Sequence, residues 1–206
     1  RLAWNPVTLG HGSQPVFLHS FAAEQFGPAL AGPAADLLGD YYRLGTIRKP
    51  ELMNRAWALS LPAARASELR AAYTDLLARE EKLAATVPAE ARDAWFETVG
   101  FPARVLGTAG LIFLADRESQ LGHDATAHAA EIARWRTFLQ EQVDRFNHGI
   151  AGGKWNHMMP GLETAPDLTQ WNSQVRWPWG EQPQPAGDVA PVDQPSADRV
   201  WRDAAS

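Results

Sequence analysis

One uninterrupted amphipathic segment decides the fold class; it runs from Ala64 to Val87 and reads ARASELRAAYTDLLAREEKLAATV. Apolar side chains recur at helical spacing along one face of it, at Leu69, Tyr73, Leu76, Leu77, Leu83 and Val87. The opposite face carries charge, at Arg70, Asp75, Arg79 and Glu81. This pattern predicts a long helix with one stripe facing a core.

Four further segments show helical periodicity or helix boundary signals. They span residues 16–26, 34–44, 88–121 and 124–149. Gly32 and Pro33 mark the start of the second helix, and a kink is expected at Gly100 to Pro102 in the fourth. Asp124 is placed to cap the fifth. Five helices of these lengths predict a mainly α fold, a bundle of about five helices.

The sequence changes character after Ile150, where glycine, tryptophan and proline replace the helical pattern. An extended C-terminal arm rich in tryptophan and proline is therefore expected, with residues 174–179 compatible with a short strand. The chain starts at Arg1 without a methionine or a leader, which favours a fragment of a longer protein. The predicted divisions are 1–15 as an exit segment from an upstream domain, 16–150 as the bundle, 151–180 as the Trp-rich arm and 181–206 as a Pro-rich linker.

Composition excludes several classes of function. The 19 basic and 24 acidic residues are interspersed, so no nucleic-acid footprint is expected. The chain has no cysteine, which removes disulfides and thiolate chemistry. No uncharged apolar run reaches the roughly 20 residues of a membrane span. A nucleic-acid partner and a membrane span are therefore not predicted.

Motifs that would signal a cofactor, a metal or a catalytic residue are weak. The single pair His128 and Glu131 lacks the matching ligands of a metal site, and no phosphate loop occurs, so no metal and no cofactor are expected. Among catalytic arrangements, glycoside hydrolysis usually needs two facing carboxyl groups. The closely spaced acids are expected to lie on solvated helix faces, and no catalytic residue is predicted in this chain: Asp36, Asp40, Glu80, Glu81, Asp116 and Glu118.

The tryptophans of the arm are open to two interpretations. Exposed indoles can stack on sugar rings, whereas buried ones anchor a segment by packing. We favour anchoring, because large aromatic side chains are mostly buried, and we keep direct sugar contact as the alternative. The candidate residues for a substrate cleft or an interdomain contact are Trp155, Asn156, His157, Trp171, Asn172, Trp177 and Trp179.

The run from Arg48 to Glu51 predicts a structural hinge. Pro50 favours a new helical turn, and Glu51 lies close to the positive end of that turn. Arg48 is suited to hold a carboxylate of a neighbouring element in a bidentate pair. A hinge is preferred to a substrate clamp, because most ion pairs are structural.

Two segments carry a resemblance to a known family. The first is YYRL at 41–44 followed by RKPEL at 48–52, and the second is GGKWNHMM at 152–159. Together they look like glycoside hydrolase family 115, the xylan α-glucuronidases, over most of residues 16–180. Downstream, PGLE at 160–163 replaces a run of the His-Ile-Gly-Tyr type that the family often has. The motif positions are Tyr42, Arg48, Lys49, Pro50, Glu51, Gly153 and Lys154.

The resemblance implies an inverting hydrolase that removes (4-O-methyl)glucuronic acid from xylan. It also implies a (β/α)-barrel before this bundle, which carries the catalytic carboxylates, and a β-sandwich after it. The chain would then be inactive alone, support the barrel, and line a cleft edge or a homodimer contact. Its partners would be the neighbouring domains and glucuronoxylan, in the periplasm or outside the cell. The alternatives are a free-standing helical protein-interaction module and a self-contained helical enzyme.

Overall fold

The computed structural model describes residues 14–156 together with residues 158 and 159. Within these residues the chain forms seven α-helices and no β-strand, which confirms the mainly helical prediction. The chain divides into two compact units, the described part of one ending at Ile47 and that of the other starting at Arg48. The helices are α1 (Gln14–Phe26), α2 (Pro28–Ile47), α3 (Arg55–Ser60), α4 (Ala63–Ala84), α5 (Arg92–Trp95), α6 (Phe101–Gln120) and α7 (Ala125–Asp144).

The described part of the first unit is a helical hairpin of α1 and α2. Gly27 joins the two helices at a φ of +88°, a left-handed conformation that glycine adopts without strain. The predicted start of the second helix at Gly32 and Pro33 is wrong, because α2 begins at Pro28 and contains Pro33. Pro28 occupies a first-turn position that needs no N–H donor, whereas Pro33 lies inside α2 and cannot donate the backbone hydrogen bond of that turn. The helix nevertheless continues through it and buries an apolar face that includes Leu30.

The second unit is arranged around α6. Helices α4 and α7 pack along it, and α3 packs across it. The run from Ala89 to Gln120 is long and apolar enough to cross a membrane by length and composition. However, 78% of its most apolar window is buried inside the protein, as expected for the central helix of a bundle.

Two glycines let α4 approach α6 closely. A Cβ at Gly110 would lie 2.3 Å from the ring of Tyr73, and one at Gly107 would lie 2.8 Å from Leu77 Cγ. Tyr73 is fully buried, and this burial raises the pKa of its hydroxyl well above the ordinary value. The two small residues therefore form the groove into which the α4 stripe packs.

The helix ends follow local chemistry that is only partly visible in the sequence. Asp124 caps α7 by accepting from the backbone N–H of Ala127 at 3.1 Å, as predicted. The expected kink near Pro102 is a π-helical turn, Phe96–Gly100, which leads directly into α6. Helix α3 was not predicted, although Asn54 caps it by accepting from Trp57 N at 2.8 Å.

Candidate functional site

The described candidate residues of the arm lie in a compact segment that follows α7. The described part of this segment, residues 150–156 with 158 and 159, begins after the π-helical turn Arg145–Gly149 and contains the 3₁₀ turn Ala151–Gly153. Ala151, Gly152 and Gly153 have φ values of +48°, +64° and +79°. Three successive left-handed residues would be costly for most side chains, which explains the two glycines of the GGKW motif.

Hydrogen bonds hold this segment near both of its ends. The side-chain amide of Asn147 donates to the carbonyl of Met159 at 3.3 Å and accepts from Met159 N–H at 3.2 Å. Asp93 Oδ2 accepts from the backbone N–H of Ala151 at 3.0 Å. Asn147 is only 1% exposed, so the side-chain amide that binds Met159 is itself fixed by packing. The segment is thereby tied to α5 and to the turn after α7.

Trp155 packs on the apolar core at this end of the second unit. Its half-buried side chain lies against a cluster formed by Phe96, Phe101, Val143, Phe146 and Ile150. Lys154 Nζ lies 4.6 Å from the centre of the Trp155 ring, a cation–π distance. The indole therefore contributes to attachment of the segment, while Asn156 beside it is exposed.

The remaining predicted residues are distributed as follows. Arg48 donates from Nε to the carbonyl of Leu52 at 2.7 Å, and Pro50 begins a 3₁₀ turn with Glu51 in it. Tyr42 is exposed on α2 with its ring centre 5.1 Å from that of Tyr41. Gly153, Lys154, Trp155 and Asn156 are neighbours in the segment after α7. Five candidates lie outside the described residues: His157, Trp171, Asn172, Trp177 and Trp179.

A buried polar network inside the second unit was missed by the sequence analysis. Glu80 Oε2 accepts from Arg104 Nε at 2.6 Å, and Glu80 Oε1 accepts from the indole N–H of Trp95 at 3.0 Å. Arg104 Nη1 donates in turn to Gln142 Oε1 at 2.6 Å. Glu80 is 1% exposed, so the prediction of a solvated surface acid is wrong here. Its position four residues after Leu76, on the apolar stripe, was the available signal.

Asp116 is a second acid whose predicted solvated position is wrong. It is 7% exposed on α6 and accepts two hydrogen bonds from Arg55, at 2.7 and 2.9 Å. The planar guanidinium matches the carboxylate in bidentate fashion. Because Arg55 begins α3, this pair connects α3 to the central helix. Its role is structural.

Glu131, which the sequence analysis paired with His128, joins α7 to α4 through Arg70. Glu131 Oε1 accepts from Arg70 at 2.6 Å, and His128 Nδ1 lies 3.4 Å from Glu131 Oε2. Partial burial alone would raise the pKa of Glu131, but its bonds to Arg70, His128 and Trp135 and the charge of Arg70 together lower it. Among the residues that the structure describes, no group of three or more His, Asp or Glu side chains is arranged to hold a metal ion.

Comparison with solved structures finds similar folds. The chain is similar to a family GH115 4-O-methyl-α-glucuronidase with specificity for decorated arabinogalactans, with a TM-score of 0.67 and 21% identity over 94% of this chain. At that identity the likeness establishes the fold alone. The chain spans 25% of the length of that enzyme. No family model matches the sequence, and no curated protein matches it.

Proposed function

We propose that this chain is the helical part of a glycoside hydrolase of the α-glucuronidase kind, where it supports the catalytic domain and does not perform the chemistry. The observation that carries the proposal is the similarity of nearly the whole chain to one quarter of such an enzyme. The motif resemblance at 41–52 and 152–159 supports the same assignment from the sequence.

The pKa shifts and the arginine partners of the carboxylates in the second unit favour a supporting role. A general acid for glycoside cleavage must keep its proton near neutral pH, which requires a raised pKa. The pKa of Glu131 is lowered by Arg70, and that of Glu118 is lowered by His123 and Arg117 despite the opposite effect of burial. Glu80 and Asp116 are engaged by Arg104 and Arg55. Each of these carboxylates therefore forms an ion pair with an arginine, which favours a structural role.

The segment after α7 is the proposed contribution of this chain to the larger enzyme. Trp155 packs it on the bundle core, and Asn147 fixes Met159. The exposed positions Asn156 and Met158 are left for a neighbouring domain or the edge of a substrate cleft. The substrate class proposed is a polysaccharide bearing (4-O-methyl)glucuronic acid, with xylan as the first choice.

The test compares the 206-residue chain with the longer chain encoded by its reading frame. Release of 4-O-methylglucuronic acid is measured on glucuronoxylan and, in parallel, on decorated arabinogalactan. We expect release by the longer chain and none by the 206 residues. Release by the 206-residue chain would overturn the supporting role, and release by neither would favour the protein-interaction module.

A further inference from the structure

A cavity of about 320 Å³ lies in the second unit between α4 and α7, and none of its lining residues belongs to the segment that follows α7. Its polar lining comes from α4 and from Arg104 of α6, and its apolar lining comes mainly from α4 and α7. The lining residues are Thr74, Leu77, Ala78, Glu80, Glu81, Arg104, Trp135 and Phe138. The proposed function makes no use of this cavity.

The aromatic wall of the cavity is held in place from several sides. Trp135 and Phe138 meet edge to face, with their ring centres 6.0 Å apart. The Trp135 indole N–H donates to Glu131 Oε1 at 3.4 Å, and the Arg134 guanidinium lies 4.8 Å from the Trp135 ring centre. Because the two rings are nearly perpendicular, a ligand that lies flat against one ring meets the other at an angle. The C–H face of a sugar ring is a suitable complement to one such aromatic ring, and fixed rings bind it at low entropic cost.

The polar part of the cavity offers both a donor and an acceptor. Arg104 uses Nε for Glu80 and Nη1 for Gln142, which leaves Nη2 to donate to a ligand. Glu81 is exposed at the opening, where its carboxylate can accept hydrogen bonds. Glu80 is almost completely buried, so its role is to hold the guanidinium of Arg104 in position. A donor and an acceptor beside an aromatic face suit neighbouring hydroxyl groups.

The charge of the lining favours a neutral ligand. The ionised lining groups are two carboxylates, Glu80 and Glu81, and one guanidinium, Arg104, which sum to −1. Glu80 already neutralises Arg104 through a 2.6 Å ion pair. An anionic ligand would be repelled by the carboxylate of Glu81. A hydroxyl group can donate a hydrogen bond to that carboxylate or accept one from the guanidinium of Arg104.

We propose that the cavity between α4 and α7 binds an uncharged pyranose unit, with its C–H face against the aromatic wall of Trp135 and Phe138 and its hydroxyl groups hydrogen-bonded to Arg104 and Glu81. The choice of a sugar over other neutral polyols rests on the proposed function. The site is a binding site for a neutral part of a polysaccharide and takes no part in cleavage.

The test titrates the 206-residue chain with two matched ligands, methyl β-D-glucoside and methyl β-D-glucuronide, which differ only in the group at C6. The readout is the NMR signal of the Trp135 indole N–H, identified by its loss in Trp135→Phe. We expect a saturable shift with the glucoside and weaker binding of the glucuronide. No saturable shift with the glucoside, or equal binding of both ligands, would overturn the proposal.

A matched pair of variants tests the polar contact. Glu81→Gln removes the accepting charge at an exposed position, so folding is preserved, and we expect about fivefold weaker binding of the glucoside, which corresponds to about 1 kcal/mol. Glu90→Gln makes the same change at an exposed position outside the cavity and should leave the affinity unchanged. Equal affinity of the two variants would contradict the site. Binding is measured without hydrolysis, so failure here is distinct from failure of the proposed function.

Discussion

Single polar side chains fix the irregular parts of this molecule. Asn147 pairs with both backbone groups of Met159, and Asp93 accepts from the N–H of Ala151. The described part of the segment after α7 makes only turn hydrogen bonds of its own, from each donor to a carbonyl three residues earlier. Side chains outside the segment therefore help to fix its position on the second unit.

The change Asn147→Asp tests this dependence. It keeps an acceptor for Met159 N–H but loses the donor to the Met159 carbonyl and places a carboxylate in a buried position. We expect a loss of about 1–3 kcal/mol in the free energy of unfolding, measured by urea titration, with faster hydrogen exchange at Met159. The control Asn156→Asp, at an exposed position, should stay within about 0.5 kcal/mol. Equal stability of the two variants would show that the hydrogen bonds between Asn147 and Met159 do not hold the segment.

The size of the residues at a helix contact determines how closely the two helices can approach. Helices α4 and α6 meet where Tyr73 and Leu77 lie over Gly110 and Gly107. The close approach lets Tyr73 become fully buried, which offsets the low helix propensity of glycine. The crossing therefore tolerates no added side-chain atom at these two positions.

The change Gly110→Ala tests the α4–α6 contact. The new Cβ would lie 2.3 Å from the ring of Tyr73, which is fully buried and cannot move away freely. We expect a loss of about 1–3 kcal/mol in thermal or urea unfolding. The control Gly32→Ala has open space around its Cβ within α2, so improved helix propensity should raise stability by about 0.5–1 kcal/mol. A neutral Gly110→Ala would mean that the two helices are further apart.

Across the second unit, arginine–carboxylate links join helices that are distant in sequence. Arg70 with Glu131 joins α4 to α7, Glu80 with Arg104 joins α4 to α6, and Arg55 with Asp116 joins α3 to α6. Such links add directional contacts to an apolar core. The link of Arg70 with Glu131 also makes stability depend on pH, because the pKa of Glu131 is lowered and the acid stabilises the folded state only while ionised.

The stability of wild type and Glu131→Gln should converge as the pH falls. The folded-state pKa of Glu131 lies below its ordinary value of 4.5, so its stabilisation is present above that value and is lost as pH falls through the folded pKa. We expect wild type to be the more stable at pH about 6 and the difference to shrink below pH about 4.5. Urea titrations over a pH series measure it, with Glu141→Gln, at an exposed site on the same helix, as the control. A difference that is constant with pH would contradict this link.

The sequence predicted where in the chain the candidate residues lie, but it predicted few of the contacts that they make. The glycines at 152 and 153 indicated a break in the helical pattern, and Trp155 was expected to anchor the arm by packing. Nothing local indicated that Asn147, twelve residues before Met159, would hold that residue. The pairing arises only when the turn after α7 brings the two together.

The sequence by itself determined the helical class, the α1, α4 and α7 segments and the cap at Asp124, because periodicity and capping act within a few residues. Only the tertiary structure decided that Glu80 and Asp116 are buried, that α2 extends through Pro33, and that α3 exists. The physical reason is that burial of an acid depends on an arginine supplied from a distant helix. A polar residue on an apolar stripe can be read as solvated until its partner is located in space.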